Sequence, residues 1–225
     1  MKNYTISDRG SVYTKGDETK RNLILHTYKK LYENDASSIT VREITKEAGI
    51  SAAALYRHFD SLEYLIAVAS VRFLDEYMKK YAVLLDCDKN FLDIYLEGWE
   101  LFNHYAFERP DIYYRLFWGI ENNVFGAAFQ DYFELFPFSG SEKHTAHYYI
   151  LLFNENMRER DRMTLRKLVN DHIITDDEAD FFSYTNTLIV EGLLHSAMKE
   201  KEEKRGSLEK LCNSLIRKNM ARVRD

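Results

Sequence analysis

The stretch Thr40–Phe59, TVREITKEAGISAAALYRHF, constrains this chain more than any other. Thr40 followed by Glu43 is a capping box, in which each residue satisfies a backbone N–H of the other. Val41, Ile44 and Ala48 then share one helical face. Gly49 stands where a helix end favours a residue of positive φ. Ile50 plugs the turn, and Ser51 caps a second helix predicted from Ala52 to His58. Leu55 and Phe59 point inward there, while Tyr56, Arg57 and His58 occupy the other face. Two short helices across a glycine turn make a helix-turn-helix unit, a motif whose second helix enters the major groove of DNA.

The remainder of the 225 residues reads as helix. Only 2 Pro and 9 Gly are present, and no stretch of any length alternates with period two, so an all-α fold with strand content near zero is expected. Residues 1–17 are polar and aperiodic, a flexible arm. Residues 18–65 form a three-helix DNA-binding module, its first helix at 18–33 carrying Ile24, Tyr28 and Leu31. A fourth helix from Asp60 or Ser61 keeps its spacing through Leu65, Ile66, Ala69, Phe73 and Tyr77 to about residue 80. Residues 66–225 form a second, helical domain. Its further helices are expected at 90–108, from Pro110, over 125–136, and at about 145–157, 160–172, 176–199 and 207–222. Asp86-Cys87-Asp88 and residues 138–144 are loops. The run 158–167, RERDRMTLRK, reads as a solvated face, and KEKEEKR at 199–205 as an exposed turn closing on Gly206.

Charge fits this division. The net charge of −5 splits into +2 over residues 1–60 and −7 beyond, the sign expected if only the first part meets phosphate. No apolar run reaches the roughly 18 residues of a membrane span. MKNYTISDRG has no apolar signal region, and Cys87 and Cys212 are too few for a disulfide framework. A cytoplasmic protein is expected.

With the helix before it and the segment after it, this stretch resembles the DNA-binding region of the TetR/AcrR family of bacterial transcriptional regulators, over roughly residues 18 to 66. The residues that carry the resemblance are Thr40, Val41, Glu43, Ile44, Ala48, Gly49, Ile50, Ser51, Leu55, Tyr56, His58, Phe59, Ser61, Glu63 and Leu65. The resemblance implies a ligand-responsive DNA-binding regulator, a repressor that leaves its double-stranded operator when a small hydrophobic or aromatic effector binds. It places Lys20, Arg21, Thr40, Arg42, Ser51, Ala52, Ala53, Tyr56, Arg57 and His58 on the DNA side. Three departures stand out. Leu62 occupies the site of a phosphate-contacting lysine. Ala52 and Ala53 occupy sites where many relatives carry polar or basic residues. Asn34-Asp35 replaces a glycine after the first helix.

The second domain is dense in aromatics between Phe91 and Tyr149. Aromatics at helical spacing are usually core, yet Trp99, Phe102, Tyr105, Phe117, Trp118 and Tyr148 lie on different helices and are candidates for the lining of one effector pocket. His104, Asn103, Arg115 or Asn122 would supply its polar contacts. The resemblance also implies a homodimer, with the last two long helices packing on their copies through Ile189, Leu193, Leu194, Leu211 and Leu215; internal core is the alternative for some of these. His144 and His147 share a helical face but lack a third metal ligand. No nucleotide-binding, zinc-hydrolase or nucleophile-elbow motif occurs, so no enzyme, cofactor or metal is expected. The rival reading is a helical ligand-binding or scaffold protein without specific DNA binding, favoured by Leu62 and the alanine-rich second helix.

Overall fold

The computed structural model describes the main chain at residues 4–6, 12–119, 122–137, 142–153 and 156–223. Among these the only strands are β1 (Tyr4–Ile6) and β2 (Val12–Thr14), an antiparallel pair with Tyr4 opposite Thr14. Part of the expected flexible arm is thus a hairpin. YTI and VYT are β-branched and aromatic, which suits pairing, but each run is too short to show a period. The first helix, α1 (Lys15–Glu33), begins three residues earlier than predicted. Thr14 and Asp17 make a second capping box, with the Asp17 N–H donating to Thr14 Oγ1 at 3.2 Å and the Thr14 N–H to Asp17 Oδ2 at 2.8 Å.

The chain divides into two compact units, Met1–Arg72 with Ala127–Phe138, and Phe73–Gly126 with Ser139–Asp225. The first unit is built around α4 (Leu62–Val71), capped by Ser61, whose Oγ accepts the Tyr64 N–H at 3.0 Å. Every residue from Leu65 to Val71 is buried, as befits a helix that is apolar on all sides. Leu23, Ile24 and Leu31 of α1, Ile44 of α2 (Val41–Ala48) and Leu55 of α3 (Ala52–Leu55) complete this core. The predicted continuous fourth helix is interrupted by a 3-10 turn, Arg72–Leu74, before α5 (Asp75–Asp86). Arg72 lies over the Tyr28 ring at 5.1 Å and the Phe136 ring at 5.7 Å, so its side chain is committed to the first unit.

The second unit contains α5, α6 (Phe91–Glu108), α7 (Pro110–Tyr114) with a π turn at Arg115–Gly119, the first half of α8 (Asn122–Leu135), α9 (Glu142–Phe153), α10 (Met157–Asn170), α11 (Asp176–Ala197) and α12 (Glu202–Asn219). Pro110 opens α7 at its first turn, where its missing N–H costs nothing. The last helix starts at Glu202, not 207. The segment 202–205 is helical and Gly206 lies within the helix, with Glu202 and Glu203 favourably placed at the positive end of its dipole. No helix of the described residues is long and apolar enough to cross a membrane.

Gly49 is the one position of the described residues where a glycine takes positive φ, at 66°, and a Cβ there would touch nothing within 4 Å. Gly49→Ala therefore isolates the backbone cost. Urea unfolding should show a loss of about 1–2 kcal/mol, and Gly49→Asn should lose less.

Candidate functional site

The helix-turn-helix surface is built by two caps and a glycine. Thr40 Oγ1 accepts the Glu43 N–H at 3.4 Å, and Glu43 Oε2 accepts the Thr40 N–H at 3.0 Å. The hydroxyl and N–H of Thr40 hold the Glu43 carboxyl below its usual range. After Gly49, Ser51 Oγ accepts the Ala54 N–H at 3.1 Å and starts α3. That helix is shorter than the predicted Ala52–His58. The Leu55 carbonyl takes both the His58 N–H at 2.9 Å and the Phe59 N–H at 3.1 Å, which tightens the chain into a turn over Tyr56–His58. Burial of Leu55 and Phe59 fixes that turn.

Thr40, Arg42, Ser51, Ala52, Ala53, Tyr56 and Arg57 are exposed together on this surface. His58 and Lys20 are half-buried beside it. Burial, then the charges of Lys20 and Arg57, hold the His58 imidazole below its usual pKa. Arg21 departs from expectation. Its guanidinium donates to the Leu135 carbonyl and lies 4.4 Å from the centre of the Phe136 ring, so it fastens α1 to the end of α8 instead of facing solvent. On the same helix end, Asp131 accepts from the Tyr64 hydroxyl at 2.8 Å and Tyr132 from Arg72 at 3.4 Å.

The second unit has a cavity of about 50 Å³ among α5, α6, α9, α10 and the π turn. Of the six aromatics expected to line one pocket, Trp99, Phe102 and Phe117 do so. Phe102 is edge-on to both others, at 5.7 and 5.0 Å. Tyr105, Trp118 and Tyr148 lie elsewhere. Tyr105 sits under the Lys80 ammonium, Trp118 stacks on Tyr114 and Tyr148 meets Tyr149. Tyr77, Tyr81 and Tyr95 take their places at the wall. Gly98 is needed there, since a Cβ on it would come within 2.6 Å of the Tyr81 ring.

The polar lining was not among the sequence candidates. His104 is exposed between Glu108 and Glu209, Asn103 is buried and donates to Asn213 at 2.7 Å, Arg115 does not line the cavity, and the Asn122 side chain lies outside the described residues. Instead Arg160 and Asp161, from the run read as a solvated face, are buried. Asp161 Oδ2 accepts from the Tyr95 hydroxyl at 2.9 Å and Oδ1 from Trp99 Nε1 at 3.1 Å. The chain continues outward. Asn186 donates to Tyr95 at 3.0 Å, and Asn219 donates to Asn186 at 2.8 Å. Burial pushes the Asp161 carboxyl up to about 8 against the pull of its two donors. The signal available in the sequence was the spacing of Met157, Arg160, Asp161, Leu165 and Leu168, a helical stripe that is buried in full.

His147 packs against Tyr81 with ring centres 4.2 Å apart and stands 3.4 Å from the Tyr77 hydroxyl. The His144 side chain lies outside the described residues. No group of three or more potential metal ligands occurs among the described residues. Of the expected dimer residues, Leu194 is fully buried inside its own chain and so is unavailable to a partner. Ile189 and Leu193 are half-buried, while Leu211 and Leu215 are exposed. The larger exposed apolar stripe on α11 is Phe181, Tyr184 and Leu188, which the sequence reading missed.

Residues 26–68 match the family model of the bacterial regulatory proteins of the tetR family. No curated protein sequence matches the chain. Solved structures do. A protein described as a TetR-family transcriptional regulator from Mesorhizobium loti superposes with a TM-score of 0.56 at 13% identity, over 93% of this chain and 98% of that one. A TetR transcription regulator from Haloarcula marismortui gives 0.53 at 15% identity, over 88% and 95%. One from Streptomyces coelicolor gives 0.50 at 15% identity, over 92% and 82%. The fold is that of a TetR-family transcriptional regulator. The helix-turn-helix segment itself is recognised as that of the tetR family of bacterial regulatory proteins.

Asp161 gives the second unit a pH signature. A buried acid titrating near 8 holds its proton in the folded chain where the unfolded chain, near 3.8, has lost it. Stability contributed this way is complete below about pH 4 and is lost as pH rises towards 8, by up to about 1.4 kcal/mol per unit. Urea unfolding at pH 5, 6.5 and 8 should show wild type falling relative to Asp161→Asn, which cannot titrate. Parallel curves would show that Asp161 is ionised throughout.

Proposed function

We propose that this chain is a ligand-responsive transcriptional repressor. It binds operator DNA through the α2–α3 surface and is released by a small hydrophobic or aromatic effector in the second unit. The observation that carries the DNA half is the exposed row of Ser51, Ala52, Ala53, Tyr56 and Arg57, standing on a capped helix pair inside the segment that matches the tetR family. Lys20, Thr40, Arg42 and His58 flank that row as backbone contacts. Phosphate contacts set register, and base edges give sequence. Binding to the DNA upstream of the chain's own gene, at two salt concentrations, tests this directly. A true operator should retain a preference over unrelated DNA at both salts, while both affinities fall as salt rises.

A homodimer follows from the same reading. Tyr184 and Leu188 on α11 and Leu211 and Leu215 on α12 are large apolar side chains that remain exposed in one chain. Packed against a second copy they form a four-helix interface that spaces two recognition helices on one face of the duplex. Leu188→Glu with Leu215→Glu should give the monomer mass by light scattering and weaken operator binding by at least tenfold. A dimer that survives both changes would remove this interface.

Release is a population shift. An effector that favours one geometry of the dimer must weaken DNA by the same factor by which DNA weakens it. α8 suits the transmission, being one helix with Phe125 in the second unit and Asp131, Tyr132 and Leu135 in the first.

Ala52 and Ala53 set what α3 can read. Neither has a donor or acceptor, so neither can hold guanine or adenine by paired hydrogen bonds; a methyl group can pack on the thymine methyl. We expect thymines opposite them, with discrimination below the roughly 1–3 kcal/mol of a bidentate pair. Thymine-to-uracil replacement in synthetic operators should weaken binding modestly at one or two positions. If no replacement does so while a guanine there abolishes binding, another side chain reads that base.

A further inference from the structure

Arg160 is only 4% exposed, lines the α5–α6–α9–α10 cavity and has a buried Nε–H that meets no acceptor among the described residues. Its guanidinium lies on apolar faces, 4.0 Å from the centre of the Phe125 ring and 5.6 Å from that of Phe117. The acid next to it in sequence does not answer it: Asp161 makes no ion pair with Arg160, its oxygens accept from Tyr95 and Trp99, and burial keeps its carboxyl protonated at neutral pH. Burial alone lowers the Arg160 pKa, to about 10, with no acid contributing. A guanidinium stays charged across the physiological range. A buried cation without an opposite charge costs several kcal/mol, and a buried donor without an acceptor adds to that. Proteins retain such a group where something else supplies the anion.

Resting on the effector reading above, we infer that this cavity receives a small planar organic carboxylate, whose carboxylate group accepts from Arg160 Nε and a terminal guanidinium nitrogen while its apolar body lies against Trp99, Phe102 and Phe117. The forked guanidinium matches a carboxylate at two points. The present cavity of about 50 Å³ is well below the roughly 150 Å³ of a cavity that admits benzene. The body of the ligand must therefore displace lining. Met157 stands at the wall, and methionine is the side chain that repacks most easily. A cationic ligand is disfavoured because it would bring a second positive charge to Arg160, while the buried Asp161 carboxyl, raised to about 8, offers no negative charge at neutral pH.

Benzoate is the minimal probe, and benzamide its neutral counterpart of nearly equal shape. In full-length protein carrying Trp118→Phe, Trp99 is the only tryptophan and reports on the cavity. Benzoate at millimolar concentration should change Trp99 emission and raise the melting temperature by a few degrees. Benzamide and benzylammonium should do neither. Arg160→Gln should weaken benzoate at least tenfold, and Arg160→Lys, which keeps the charge and loses the fork, should weaken it less. Should either variant fail to fold, the wild-type preference for benzoate over benzamide decides alone. Silence toward benzoate, an equal response to benzamide, or an undiminished response in folded Arg160→Gln would each overturn the inference. A parallel titration of operator complexes separates it from the effector reading. Release by benzamide would keep an effector site and overturn the anion. Benzoate binding that leaves operator affinity unchanged would keep the anion site and remove its effector role.

Discussion

Two ionisable side chains, adjacent in sequence and buried without pairing to each other, constrain the second unit more than any other interaction. Moving Arg160 and Asp161 out of water is costly, and each is accommodated separately. Asp161 is held by Tyr95 and Trp99, and through Tyr95 by Asn186 and Asn219, so that one line of hydrogen bonds joins α10 to α6, α11 and α12. Such a line is satisfied only if all four helices keep their register. It fixes α11 and α12, the helices with the exposed apolar side chains, relative to the cavity wall. Arg160 is instead held by ring faces, which offer attraction without consuming its donors.

The first unit depends on a different constraint. α4 is buried on every side from Leu65 to Val71 and cannot slide without exposing apolar surface. The helix-turn-helix pair is joined to it through α1, which packs against both α4 and α2, and its rigidity comes from backbone devices that are local in sequence. The boxes at Thr14–Asp17 and Thr40–Glu43, the cap at Ser51 and the left-handed Gly49 satisfy the orphan groups at four helix ends. A surface made this way can present Ala52 and Ala53 without losing shape, because Thr40, Glu43 and Ser51 hold the backbone there and the alanines do not.

This contrast explains what the sequence disclosed and what it hid. Caps and turns act over three or four residues, so Thr40, Gly49 and Ser51 were legible, and so were the helices that alternate with few Pro and Gly. Signals that span a few residues but carry no period were missed, as with the strands at Tyr4–Ile6 and Val12–Thr14. Tertiary context decided the rest. RERDRMTLRK has the charge content of a solvated face, and only tertiary partners turn two of its residues inward, Tyr95 and Trp99 of α6 for Asp161 and the rings of Phe117 and Phe125 for Arg160. Aromatic density announced a packed interior, yet Trp118 and Tyr148 are placed by the local geometry of their own helices, beyond what spacing alone can tell. Arg21 was expected on the DNA side from its position near a helix start. The carbonyl of Leu135 and the ring of Phe136, more than a hundred residues on, claim it instead.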